Sequence, residues 1–493
     1  MSKKLRRFEF SALLGMILLV AVPSLAQNDG KAAGEVMESP CEASIRGLAE
    51  AYERDARTRA AFQAVYDGLA PLPYGYYYDG ARENPWKKAG DGAGLARAVG
   101  EFYRQVCTLL PAIIGSNDNA LDSIQYFAWF YFHNQAGERL VAGIDPLDPS
   151  QPLDSVKHFL IEFNREYKHY MDSPDSTGKV AEWIADPRLE IEDYVYQNPA
   201  DYPSWNAFFA RNLKSVDGRY PSRPVTMPER DYVVVSPTDC IMNPLVQPVV
   251  TASGEVTRAL IENPLQKDTV LDVKGIPISV DDLLAGAPDE LKAKFEGGSG
   301  LACVLMPNTY HHFHSPVDGV IRYAEIVEAG AGDPYAYGTF GYSDWPNWVP
   351  LDGNVGRPGT DFSQFQGFQR GVIIIEVAYD NLPGRQPKKL KGWVASIPVG
   401  LDTVGSLVFH KGVKKDARVT KGVTPFGNFY FGGSLNILLF SPIQGTDAQM
   451  LSPAVQTRMG NQIGILNTPY PAPPTPWTPD SGRSRDRKVR KHR

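Results

Sequence analysis

From Glu42 to about Tyr196 the apolar side chains recur at helical spacing: Ile45, Leu48, Ala51 and Tyr52, then Leu95, Val99, Phe102, Tyr103 and Val106, then Leu121 to Phe132, then Val156 to Tyr170. Steps of three and four residues put such side chains on one face of a helix, so the stretch predicts amphipathic helices packed on one another. Gly- and Pro-rich breaks near Leu72 to Gly80 and Asp145 to Pro152 divide them. After Tyr202-Pro203 the pattern changes to short β-rich runs separated by turn residues. These predict strands at Tyr232 to Val235, Leu301 to Met306, Val320 to Val327, Val372 to Val377, Trp393 to Val399 and Leu435 to Phe440. The expected fold class is α+β, an N-terminal helical domain over residues 41–200 followed by a mainly β domain over residues 203–467.

The two ends read differently. Lys3, Lys4, Arg6 and Arg7 precede an apolar run from Phe10 to Val22, which Pro23-Ser24-Leu25-Ala26 closes. That is the pattern of a secretory signal, and the run is short for a membrane span, which needs about 20 apolar residues. Residues 1–26 are therefore expected to be a signal peptide cleaved after Ala26, with an uncleaved anchor as the alternative. The expected location is exported, periplasmic or secreted, with membrane association as a further expectation. From Thr468 the chain is Pro-rich and then basic, with Arg483, Arg485, Arg487, Lys488, Arg490, Lys491 and Arg493 against one Asp486. Residues 468–493 read as a disordered tail whose charge would be drawn to anionic phospholipid, at about 1 kcal/mol per basic residue close to the surface.

Composition narrows the function classes. At 493 residues the chain has room for two or three domains, and 43% hydrophobic with 22% charged residues is an ordinary globular balance, against wholesale disorder or a fibrous repeat. Fifty Lys+Arg against 56 Asp+Glu, a net charge of −6, supplies no global field for nucleic acid. Four cysteines in an exported chain allow one or two disulfides, and Cys41 with Cys107 is the natural pair because both flank one helical region. No CxxC pair is present, which argues against a structural zinc site.

Three of the eight histidines, His311, His312 and His314, fall inside the run Met306 to Gly319. If that segment is extended, His312 and His314 share one face and His311 takes the other. With no carboxylate or cysteine at supporting spacing, proton transfer is a better expectation than metal ligation, and no metal residues are assigned. Asp239 stands in a turn just past the hydrophobic strand, in Val235-Ser236-Pro237-Thr238-Asp239-Cys240. Ser434 follows two glycines in Phe431-Gly432-Gly433-Ser434 and opens a buried run; glycines there permit backbone conformations that other residues resist. Gly-Gly-Ser also occurs at Gly297-Gly298-Ser299, beside Lys294 and Glu296, and that copy reads as a turn. Asp239, His314 and Ser434 together supply an orienting carboxylate, a base and a nucleophile. A serine hydrolase would be expected to carry a Gly-x-Ser-x-Gly elbow, which this serine lacks.

The ordered set Ser-Pro-Thr-Asp239, Tyr310-His311-x-Phe-His314-Ser-Pro-Val-Asp-Gly and Phe-Gly-Gly-Ser434 resembles the phosphatidylserine decarboxylase family, which is self-processing and pyruvoyl-dependent. Trp205 to Lys214, Val273 to Ser279 with Leu283-Leu284, and Pro398 to Gly400 with Val404 to Ser406 are similar to further family segments, so the resemblance covers about residues 203–442. Phe163-Asn164 and Asp172-Ser173-Pro174-Asp175-Ser176 are similar to the accessory domain of larger members. The resemblance implies that residues 41–200 are an accessory domain and 203–467 the catalytic one, cut between Gly433 and Ser434 into subunits that stay associated. It implies that His314, oriented by Asp239, deprotonates Ser434, whose hydroxyl attacks the Gly433 carbonyl. Residue 434 then becomes a covalent pyruvoyl group, the electron sink that decarboxylation of an amino acid requires. His311 would assist decarboxylation or protonate the resulting carbanion.

Departures from the family pattern are Leu435 for Thr or Ser, Cys240 for Gly, His312 for Arg, and a Lys421 to Phe429 segment that is one residue longer and lacks an acidic pair. The first expectation for the reaction is phosphatidylserine to phosphatidylethanolamine plus CO2. The alternatives are decarboxylation of a free, aromatic amino acid such as tryptophan, and an unprocessed exported homologue that is non-enzymatic or binds metal.

Overall fold

The computed structural model describes residues 38–71, 83–110, 130, 134–141, 143–250, 256–261, 264–273, 276–327, 369–380, 389–401, 407–442, 448–450 and 455–466. The expected signal segment, the basic tail, most of the Leu121 to Phe132 run, the break at residues 72–80 and parts of two family-like segments (274–275 and 404–406) lie outside them.

Helical periodicity became helices at Glu42–Arg54, Gly92–Cys107 and Asp154–Met171. Between the first two lies Ala56–Gly68, started by Asp55, whose carboxylate accepts from the Arg57 and Thr58 N–H groups; an acceptor at that point satisfies donors a helix start leaves open. Cys41 and Cys107 form the expected disulfide, with Cα atoms 6.1 Å apart, tying the start of the first helix to the end of the Gly92–Cys107 helix.

The β part is built on an eight-stranded antiparallel sheet. Its order is Arg418–Val419, Gly319–Val327, Arg370–Asp380, Lys389–Leu401, Gly433–Phe440, Ser299–Val304, Cys240–Pro244 and Val455–Thr457. Both faces of its middle are covered. Ile374, Ile397, Ile437 and Leu439 join one apolar cluster with helical residues such as Trp86, Phe102 and Phe163. Ile373, Ile375, Val394 and Leu438 face a second cluster with Phe313, Phe426 and Phe429. A strand buried on both sides has no polar face to alternate with, which is why Val372 to Val377 and Leu435 to Phe440 read as nearly continuous apolar runs. Phe313 and Phe429 belong to a smaller three-stranded sheet of Leu407–Phe409, Pro425–Phe429 and His312–His314. The architecture is thus α+β, helices followed by sheet, with the helices sharing the core of one sheet face.

Candidate active site

Three strand ends meet at one edge of the large sheet. Ile241 and Leu435 both pair with Val304, on opposite sides of it, so these three residues form one row. Two strands antiparallel to the same neighbour run parallel to each other, so both start where that neighbour ends. Asp239 therefore precedes one strand start and Ser434 lies at the other, while Val304 leads through Leu305 into the histidine segment. The Leu305 N–H donates to the Ser434 carbonyl at 3.1 Å, and Ser434 pairs with Gly400 on its other side.

The histidine segment is fixed by backbone bonds to its surroundings. The Phe429 N–H donates to the His311 carbonyl at 2.9 Å and the His314 N–H to the Pro237 carbonyl, two residues before Asp239, at 2.8 Å. All three rings are buried. His311 Nδ1 lies 2.9 Å from the Thr309 carbonyl, an acceptor, so Nδ1 carries a proton. The His311 ring sits 3.8 Å from that of Phe209. His312 donates through Nε2 to the Ala210 carbonyl at 3.0 Å and stacks on Tyr310 at 4.7 Å. Burial pulls its pKa down to about 4. His314 Nε2 and the Tyr310 hydroxyl are 3.0 Å apart. Burial, and then His312 and His410, push the His314 pKa well below its ordinary value, while burial together with Tyr220, Tyr194 and Asp239 pushes the Tyr310 hydroxyl up. At neutral pH the pair is thus an uncharged imidazole beside a protonated phenol.

Asp239 is held elsewhere. Arg223 donates to it through Nε at 3.0 Å and Nη2 at 2.8 Å, and the Met459 N–H donates at 2.8 Å. Arg223 also pairs with Asp193 at 2.7 Å. No hydrogen bond joins Asp239 to His314, whose ring partner is Tyr310. The fold brings the carboxylate and the imidazole to the same edge of the sheet without joining them.

Ser434 is 1% exposed and its hydroxyl donates to the Gly432 carbonyl at 3.3 Å. Gly432 has φ 146°, a conformation that disfavours any residue with a Cβ. The helix Trp205–Phe209 braces this loop: Asn206 Oδ1 accepts the Phe431 N–H at 3.0 Å, and the Phe209 ring lies between Phe431, 5.4 Å away, and His311. Arg211, just past that helix, donates to the Asn308 and Thr309 carbonyls at 2.8 and 3.0 Å, holding the approach to the histidines. Sequence reasoning missed Arg223, Tyr310 as partner of His314, and Asn206 as a brace. Tyr310 and Asn206 stood inside quoted motifs without a role, whereas Arg223 lies in a Pro-flanked stretch with no local signal at all. Among the described residues no group of three or more His, Cys, Asp or Glu side chains could hold a metal ion.

Residues 205–465, a little over half of the chain, match the family model described as phosphatidylserine decarboxylase. The chain belongs to the phosphatidylserine decarboxylase family. That makes it a carboxy-lyase by family. A phosphatidylserine decarboxylase proenzyme of Fusobacterium nucleatum is 28% identical over 275 residues, 56% of this chain and 71% of that protein. "Decarboxylase iboD" of Amanita muscaria is 26% identical over 281 residues, 54% of this chain and 68% of that protein. Phosphatidylserine decarboxylase proenzyme 3 of Schizosaccharomyces pombe is 26% identical over 315 residues, 63% of this chain but 27% of that protein. Within the phosphatidylserine decarboxylase pattern, the departing Leu435 packs into the core shared with the helices. The departing Cys240 is buried, and it raises the pKa of Cys303 through a side-chain hydrogen bond, which burial reinforces.

Proposed function

We propose that the chain is a self-processing, pyruvoyl-dependent decarboxylase that converts phosphatidylserine to phosphatidylethanolamine. The carrying observation is the buried Ser434 behind a left-handed Gly432, at the sheet edge where the Asp239 turn and the histidine segment also arrive. The hydroxyl touches a main-chain carbonyl one residue upstream of the one it would attack, which suits backbone serinolysis. Oγ adds to the Gly433 carbonyl carbon, the Gly433–Ser434 C–N bond breaks, and the amide becomes an ester with a free amine. Removal of the Ser434 Cα proton then breaks the Cβ–O bond and releases Gly433 as a carboxylate. The dehydroalanine left at 434 takes up water and loses ammonia. A neutral His314 has the lone pair that accepts the hydroxyl proton, and it must exchange its Tyr310 contact to do so. The pyruvoyl group supplies the electrophilic carbonyl that accepts the electrons of the broken C–COO⁻ bond. His311, with Nδ1 committed to Thr309, offers Nε2 for returning a proton to the product carbon.

Intact mass of the purified protein tests this reading. The expected result is a large fragment ending at Gly433 and a small one beginning with a pyruvoyl group; a chain that stays whole overturns it. The same measurement tests export, for which the Cys41–Cys107 disulfide is the support, by whether the large fragment begins at Gln27.

A second reading, decarboxylation of a free amino acid such as tryptophan, is favoured by His312. At the position where the family commonly has Arg, this ring is buried, bonded to Ala210 and neutral at pH 7, so it brings no cation to a phosphate group. Release of CO2 from tryptophan with none from phosphatidylserine vesicles selects the second reading; the reverse selects the first.

A further inference from the structure

The Asp172 to Ser176 motif, which follows the Asp154–Met171 helix, reaches the residues just upstream of the proposed cut. Asn206, 1% exposed, donates through Nδ2 to Asp172 Oδ1 at 2.7 Å while its Oδ1 accepts the Phe431 N–H at 3.0 Å. A primary amide can donate on one side and accept on the other at a fixed spacing, which is what a relay between a carboxylate and a peptide N–H requires. Ser176 Oγ accepts the Trp205 N–H at 2.8 Å, seating the helix that carries Asn206. Lys168 pairs with Asp172 at 2.6 Å and its ammonium lies 5.9 Å from the centre of the Tyr430 ring. The Phe431 ring packs on Trp205 and Phe209, 6.0 and 5.4 Å away. Tyr430 and Phe431 are thus gripped from the helical side, and Ser434 is locked into the sheet by Gly400 and Leu305. Only Gly432 and Gly433 lie between the two clamps.

We propose that Asp172 and Asn206 are positioning residues for the cleavage of the chain, through which the helical region sets the approach of Ser434 Oγ to the Gly433 carbonyl carbon. The proposal rests on the self-cleavage reading above. Two adjacent glycines sample many backbone conformations, and a hydroxyl attacks its neighbouring carbonyl only from a narrow subset of them. Fixing the Phe431 N–H removes much of that freedom. The Asp172 carboxylate orients the amide so that oxygen, and not nitrogen, faces Phe431.

The test follows chain splitting over time on denaturing gels for the whole protein, with thermal unfolding of each variant alongside. Asn206→Ala is expected to slow splitting roughly 10- to 100-fold, the scale of one lost buried hydrogen bond at a reacting centre. Asp172→Ala is expected to slow it about 5- to 20-fold on the same scale, and Asp172→Asn, which can still accept from Asn206, to restore it to near the natural rate. Because the two side chains act in series, the Asp172→Ala/Asn206→Ala double variant is expected to split no more slowly than Asn206→Ala alone. Equal rates for Asn206→Ala and the natural chain overturn the proposal. So do slowing that multiplies in the double variant and failure of Asp172→Asn to restore the rate, since general packing damage gives both. A natural chain that never splits sinks the self-cleavage reading itself, a result distinguishable from all of these.

Discussion

Gly297-Gly298-Ser299 and Gly432-Gly433-Ser434 open the two strands of one antiparallel ladder, in which Ser299 lies opposite Phe440 and Val304 opposite Leu435. The two serines stand at opposite ends of that ladder, about 17–20 Å apart along the strands. Both copies use a left-handed glycine, Gly297 at φ 77° and Gly432 at φ 146°. In the first, the Leu265 N–H bonds the Gly298 carbonyl and the chain simply turns into the strand; Ser299 is half-buried. In the second, the serine is buried where the Asp239 turn and three histidines arrive. The tripeptide supplies backbone freedom at both ends, and the proposed chemistry needs the surroundings that only the second end has.

The largest effect expected is all-or-none. Ser434→Ala should leave the chain whole and without CO2 release, and Ser299→Ala should split and decarboxylate like the natural chain; a Ser299→Ala protein that stays whole on a denaturing gel breaks the comparison. Next comes His311. His311→Ala should still split but lose about 10²- to 10⁴-fold in CO2 release per split chain, the usual worth of a general acid or base. Unchanged turnover would remove His311 from the chemistry.

A pH series sharpens the contrast in surroundings. His312 is depressed from 6.5 to about 4, so its contribution to stability is full above pH 6.5 and is lost as the pH falls towards 4. The loss should be roughly 3 kcal/mol, read from urea unfolding at pH 7, 6, 5 and 4. His312→Gln, which keeps a donor for Ala210, should make that acid limb shallower, with the buried His314 keeping the rest of it, and an unaltered slope would count against the assignment. The smallest effect is backbone strain: Gly297→Ala should cost about 1–2 kcal/mol with splitting unaffected, whereas Gly432→Ala should cost a similar amount and also slow splitting.

The order of helices and strands followed from local pattern, because amphipathic spacing and doubly buried strands leave marks within a few residues of themselves. The Cys41–Cys107 pair and the family were likewise legible in the chain. Which groups touch was another matter. Asp239 is bonded to Arg223 and Met459 and not to His314, and His314 is bonded to Tyr310, since a buried carboxylate takes the donors that packing brings to it. Asn206 became the link between Asp172 and Phe431 only when residues 34 and 225 positions away were folded against its two ends. Spacing along the chain determined the elements, the disulfide pair and the residues proposed for the chemistry. Contacts between segments far apart in sequence, to which no local pattern corresponds, decided which of the two Gly-Gly-Ser turns stands beside them.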